Sequence, residues 1–195
     1  MYRNAYVLLL LTTLFWGGNA VAGKLALGHV SPMTLTALRW LFAFLLLLAI
    51  GWPRLRADLP AIRRSLPLLA ALGALGFGIF NIAMYSALVY TTAINVSIEQ
   101  AGMPMMIFLA NYLLFRTQVT WVQIVGFALT LVGIGVVASH GDPARLLALD
   151  LNRGDALMLG GVVIYAAYTV MLRWKPEIHW QSMMIVLCGA ATVAA

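Results

Sequence analysis

The 195-residue chain is 63% hydrophobic and 9% charged, where soluble domains carry about a quarter charged residues. That composition excludes an ordinary soluble globule, a disordered chain and a disulfide-stapled secreted domain, and the single cysteine, Cys188, has no second cysteine to bridge. The formal net charge of +6 sits mostly between apolar runs, where cations encode membrane orientation and do not argue for nucleic acid.

A hydrocarbon core about 30 Å thick takes roughly 20 apolar residues in a helix. Seven runs meet or approach that length: 5–27, 32–52, 66–90, 92–115, 119–139, 156–172 and 180–195. They are too long for barrel strands and lack alternation of period two, so they predict helices. The sequence therefore predicts an all-α integral membrane protein with seven transmembrane helices. The first run carries Arg3 and Ala20-Val21-Ala22, which resembles a signal cleavage site, but it is long enough to cross and is read as a retained span.

Lys and Arg between the runs divide unequally. Arg3, Arg54, Arg56, Arg63, Arg64, Arg116, Arg173 and Lys175 fall on one side, against Lys24, Arg145 and Arg153 on the other. The bias predicts an amino terminus in the cytoplasm, and ten arginines to two lysines, the composition of a GC-rich bacterial genome, make the expected location of this multi-pass protein the plasma membrane, a bacterial inner membrane. The seventh run reaches Ala195 without a cap, charge or interfacial aromatic. A helix stopping in hydrocarbon would orphan its last carbonyls, so the sequence reads as a fragment of a longer protein.

Polar groups inside apolar runs are costly and mark cavities or partners. In the first run Thr12, Trp16, Asn19, Ala20 and Gly23 share a helical face, which Asn19 turns inward. Lys24, near the end of that run, either snorkels to headgroups or attracts anions at a cavity mouth. Arg39 and Glu99 each lie seven residues into their runs, roughly 10 Å deep. They predict an ion pair between the second and fourth helices, a cavity in which Glu99 binds a cationic group or proton, or a neutral glutamic acid with local hydrogen bonds. In the third run Phe77, Asn81, Met84 and Leu88 form a stripe flanked by Tyr85. In the fourth, Asn95, Glu99 and Met103 align beside a face holding Gln100, Pro104, Ile107 and Asn111. Pro104 withholds a backbone donor and predicts a kink. Gly73, Gly76, Gly78, Gly126 and Gly133 predict close helix approach.

Trp16 and Asn19 recur as Tyr165 and Tyr168, and Lys24 recurs as Arg173, all at an offset of 149 residues. The two helices would cross in opposite senses, which is the arithmetic of an inverted five-helix repeat. Trp16-Gly17-Gly18-Asn19 with Lys24, the stretch Gly126 to Val136, Pro104, and Arg153-Gly154-Asp155-Ala156 through Ala167-Tyr168-Thr169-Val170 resemble the EamA-type drug/metabolite transporters. The resemblance implies ten helices in two inverted five-helix halves, a central cavity and export of small metabolites. It divides the chain into a first repeat at 1–140, an external loop at 141–153 and a truncated second repeat at 154–195. The Gly-Glu pair common in the family at the end of helix 4 is replaced here by Phe115-Arg116-Thr117, so no role of that carboxylate carries over.

The sequence thus predicts a secondary-active transporter exporting a small metabolite, an amino acid or related amphipathic solute, by alternating access. Its substrate-binding candidates are Trp16, Asn19, Lys24, Arg39, Phe77, Asn81, Tyr85, Asn95, Glu99, Met103, Tyr165 and Tyr168. The alternative is a non-transporting membrane protein, structural or a truncated product. His29, His140 and His179 lack metal spacing, and no nucleophile elbow, phosphate loop or zinc motif occurs, so neither enzyme, metal nor cofactor is expected. The expected partners are a small solute, the bilayer and protons as coupling ion, with room for a homodimer and none for nucleic acid.

Overall fold

A computed structural model describes residues 5–139 and 152–195. Arg3, His140, the turn at Gly141-Asp142-Pro143, Arg145 and most of the expected external loop lie outside them. The described residues form helices, with one isolated bridge between Leu27 and Val30. The helices are α1 (Ala5–Ala26), α2 (Pro32–Arg64), α3 (Leu66–Gly73), a π-helical turn (Ala74–Ile79), α4 (Phe80–Tyr90), α5 (Ala93–Gln100), α6 (Met103–Phe115), α7 (Trp121–Ser139), α8 (Arg153–Met171) with a short 3₁₀ extension (Leu172–Trp174), and α9 (Trp180–Ala194). Five segments are long and apolar enough to cross a bilayer: Tyr6–Ala26, Pro32–Arg64, Leu66–Tyr90, Ala93–Phe115 and Arg153–Trp174. Two shorter apolar helices, Trp121–Gly133 and Trp180–Ala194, coincide with the remaining runs. The chain is an all-α membrane protein.

Local chemistry sets the joints. Gly28, at φ +91°, makes the turn out of α1 that a side chain would strain. Ser31 then caps α2 by accepting the Thr34 N–H at 3.1 Å, with Pro32 opening the helix. The structure corrects the expected loop after residue 52. α2 continues through Pro53 and Pro60 to Arg64, so Arg54, Arg56, Arg63 and Arg64 are helical. At 33 residues it is about 50 Å long, longer than the hydrocarbon core. Arg63 and Arg64 occupy its last turn, where cations offset the carbonyl end of the helix dipole. Asp58 accepts the His179 N–H at 2.9 Å and ties this extension to the start of α9.

Two of the long segments are interrupted in mid-course. Between α3 and α4 the chain widens into the π turn, closed by the Phe80 N–H on the Leu75 carbonyl. Between α5 and α6 it tightens at Ala101 and Gly102, whose N–H groups reach back only three residues to Ile98 and Glu99. The expected kink at Pro104 is present, one turn ahead of the proline, which sits in the first turn of α6. Arg116 ends α6 at φ +55°, the left-handed conformation that favours glycine.

Packing is uneven. α9 lies against α2, α3 and the π turn, and α8 against α4 and α6. One core gathers Phe80, Met84, Tyr85, Leu88, Val96, Met103, Met158 and Val162, and a second gathers Ile62, Leu69, Leu72, Tyr168, Met183 and Leu187. The glycines of the third segment permit this approach: a Cβ at Gly73 would meet the Leu187 carbonyl oxygen at 2.5 Å, and one at Gly76 would enter the Tyr168 ring. Gly126 and Gly133 do not behave this way. A Cβ at either meets nothing within 4 Å among the described residues, with which α7 makes few contacts.

Candidate functional site

The discontinuities face one another across a cavity of about 380 Å³. Its wall comes from α1 (Phe15, Trp16, Asn19), α2 (Arg39, Trp40), the π turn and α4 (Gly76, Phe77, Phe80, Asn81, Met84), the α5–α6 break (Gln100, Met103) and α8 (Tyr165). Each broken segment therefore contributes the residues at its break, where backbone groups leave the regular ladder and can be used by a cavity.

Arg39 is the cation of this wall. Its Nη1 donates to Asn19 Oδ1 and to the Tyr85 hydroxyl, while that hydroxyl donates to Asn19 Oδ1 at 2.9 Å. Its guanidinium carbon lies 4.7 Å from the centre of the Trp40 ring, within cation–π range. Both hydrogen bonds use a single nitrogen, so the remaining donors of the fork have no protein acceptor among the described residues. The close fit of α1 here depends on Gly23, where a Cβ would lie 2.6 Å from the Tyr85 ring.

The aromatic side is equally ordered. Trp40 stacks on Phe77 with centroids 4.6 Å apart and 12° between planes, and its indole N–H donates to the Phe77 carbonyl at 2.8 Å. Asn81 Nδ2 donates to that same carbonyl at 2.8 Å. The π turn thus presents a carbonyl that serves two side chains. Across the cavity Trp16 meets Tyr165 edge to face at 6.4 Å, and Tyr165 packs on Phe80 at 4.9 Å and on Tyr168 at 5.3 Å. The site combines one fixed cation, amides and apolar rings, with Arg39 the only charged residue in its lining among the described residues.

Of the substrate-binding candidates read from the sequence, Trp16, Asn19, Arg39, Phe77, Asn81, Met103 and Tyr165 line this cavity. Tyr85 and Tyr168 stand behind it, buried at 1% and 7% exposure, and hold Arg39 and the aromatic wall respectively. Lys24 is neither at its mouth nor extended away. Its Nζ donates to the carbonyls of Leu88, at 2.5 Å, and Thr91, at 2.8 Å, at the end of α4. Asn95 is exposed and donates to the Thr91 hydroxyl within its own turn. Glu99 is not in the lining and does not pair with Arg39, which Asn19 and Tyr85 hold; it faces Asp155 of α8 instead. Depth along two helices put Arg39 and Glu99 in one layer, but they point to different sides of it. Trp40 and Phe80 were not anticipated. Trp40 had a legible signal, since an indole beside a buried cation in an apolar run needs a place for its N–H.

Among the described residues no group of His, Cys, Asp and Glu could hold a metal ion. The sequence profile of the EamA-like transporter family matches residues 3–139. Similar proteins include the uncharacterized transporter YyaM of Bacillus subtilis (strain 168), 24% identical over 172 residues, covering 88% of this chain and 56% of that protein. An uncharacterized transporter of Archaeoglobus fulgidus is 30% identical over 172 residues, covering 88% of this chain and 58% of that one. The chain spans about half the length of these relatives. No solved structure matches it. With a family match over most of its length, laid on a bundle of apolar helices around a mixed polar and aromatic cavity, this chain belongs to the EamA-like transporter family.

Proposed function

We propose that the complete protein is a secondary-active carrier that exports a small amphipathic metabolite bearing a carboxylate, an amino acid or a close relative, by alternating access across a plasma membrane. The observation that carries this reading is Arg39. Asn19 and Tyr85 fix one of its nitrogens and the Trp40 ring lies 4.7 Å from its guanidinium carbon, leaving a preorganised fork at the wall of an aromatic cavity. Such a fork matches a carboxylate in two-point geometry, and the rings opposite suit a small apolar side chain.

The helices α8 and α9 are read as the opening of a second repeat, inverted relative to the first. What supports this is the contact of Trp16 with Tyr165, residues at equal positions in the two helices that begin the halves. A two-fold axis in the membrane plane, passing through a shared cavity, would bring equivalent residues together in this manner. The wall is built on a π turn and a broken helix, which gives alternating access two places to bend.

Producing the complete protein in cells and profiling metabolites inside and outside tests the reading. A carboxylate-bearing metabolite should accumulate outside, and Arg39→Gln should reduce its export about tenfold, the loss of one charge-assisted contact. Equal export by Arg39→Gln, or no change in any exported metabolite, overturns it.

A further inference from the structure

Glu99 ends the last full turn of α5, and Asp155 sits in the first turn of α8. The two side chains interact across the contact of α5 with α8. Asp155 is 6% exposed. Its Oδ2 is occupied, accepting the Asn152 N–H at 2.8 Å, in a capping box completed by Asn152 Oδ1, which accepts from the N–H groups of Gly154 and Asp155. The other oxygen, Oδ1, is buried and has no donor among the described residues, and Glu99 Oε2 is buried in the same condition. Gly154 seats this turn tightly: a Cβ there would meet the Ala87 carbonyl oxygen at 2.7 Å and Thr91 at 3.0 Å. The capping box and this close seat hold Asp155 in place, so it cannot turn away from Glu99 without undoing the start of α8.

Two ionised carboxylates offer acceptors only, and facing one another without a donor they repel in a medium of low polarity. One proton converts that contact into an O–H···O⁻ bond of the strong, charge-assisted kind and satisfies both orphan oxygens at once. Among the described residues, nearby cations do not supply the missing donor. Lys24 of α1 is held by the Leu88 and Thr91 carbonyls, Arg39 of α2 by Asn19 and Tyr85, and Arg153 of α8 is exposed. α4 offers only the tyrosines Tyr85 and Tyr90, and the sequences of α6 and α7 carry no charge. We propose that Glu99 and Asp155 hold a single proton between them, forming a proton-binding site at the contact of α5 with α8, separate from the solute cavity.

The site joins a residue inside the family-matched segment to one beyond it. Losing the proton leaves two like charges across the α5–α8 contact and favours separation of those helices. The next residue after Glu99, Gln100, and Met103 at the helix break both line the cavity, so that separation reaches the solute wall directly. This transport consequence rests on the carrier reading; the binding of the proton does not.

Infrared spectra of the purified protein in a lipid bilayer, titrated from acid to alkaline without solute, test it. The wild type should show the carbonyl stretch of a buried protonated carboxyl after exposed carboxylates have ionised. Glu99→Gln and Asp155→Asn should each abolish that band, because the amide donates to the remaining carboxylate and replaces the proton. If a variant fails to fold, absence of the band from the wild type still overturns the proposal, and Glu99→Asp or Asp155→Glu, which keep the carboxyl pair, should keep the band. No such band in the wild type, a band that survives Glu99→Gln, or a band displaced by sodium or potassium ions overturns the proposal. No solute enters the measurement, so its failure leaves the cavity reading standing, and a negative export result for Arg39→Gln leaves the carboxyl pair standing.

Discussion

Arg39 on α2 donates through Nη1 to Asn19 Oδ1 on α1, twenty residues earlier in the chain, and Tyr85 on α4 closes the triangle from the third side. A guanidinium, an amide and a phenol thereby hold three helices around one point at the wall of the cavity. The amide accepts from both partners, the phenol accepts from one and donates to the other, and every bond in the triangle has a donor and an acceptor of the right kind. Asn19 is the residue without which the other two cannot both be satisfied.

Asn19→Leu removes the shared acceptor and strands a half-buried cation. The expected loss is about 2 kcal/mol of stability, the scale of a hydrogen bond to a charged group. Thermal unfolding in detergent should register it as a clear fall in Tm. Arg39→Lys should lose transport as well, since an ammonium on a flexible stem reproduces the charge but not the planar fork. An Asn19→Leu protein as stable as the wild type would show that the triangle contributes nothing to the packing of α1, α2 and α4.

The glycines separate into two kinds, and alanine tells them apart. At Gly76 a methyl group enters the Tyr168 ring, so Gly76→Ala should destabilise by about 1–3 kcal/mol through overpacking. At Gly126 a methyl group meets open space, and Gly126→Ala should be neutral or stabilise by up to about 1 kcal/mol through helix propensity. The comparison cancels the generic effect of replacing a helical glycine. Adding Tyr168→Ala to Gly76→Ala should restore part of the loss, giving a coupling energy well outside additivity. Additive losses would mean that the ring moves aside freely.

How much of this could be read from the sequence follows from what a sequence encodes. Asn19, Asn81 and Arg39 were legible because a polar group in an apolar run has few tolerable places to point, and the helical wheel carried Trp16, Phe77 and Met103 to the same side with them. Tyr165 was legible through its offset from Trp16. Glu99 was misplaced for a different reason: counting residues from the end of a run fixes depth but not direction around the helix axis. Its partner Asp155 lay in what looked like an ordinary helix start, where the Asn152 cap hides it among residues that serve the backbone. The π turn left no signal beyond its glycines, because a single added residue per turn changes neither composition nor length. The helical continuation of α2 past Pro53 was missed because proline and arginine are shared marks of loops and of helix ends.

Lys24 shows how a charge that looked functional can be structural. Its ammonium reaches the carbonyls of Leu88 and Thr91, which close α4 and have no further turn to bond with. A cation there satisfies orphan acceptors and offsets the negative end of the helix dipole together. Lys24→Met keeps the apolar stem and removes both bonds. It should cost about 1–2 kcal/mol, with the loss appearing as faster hydrogen exchange at the end of α4 before global unfolding. Lys24→Arg should restore most of the protection, because a guanidinium also donates to carbonyl oxygens. Export by the complete protein should change less with Lys24→Met than with Arg39→Gln, since Lys24 is absent from the cavity wall. A Lys24→Met carrier that exports as poorly as Arg39→Gln, with unchanged exchange at Leu88 and Thr91, would assign the ammonium to the solute and not to the helix end.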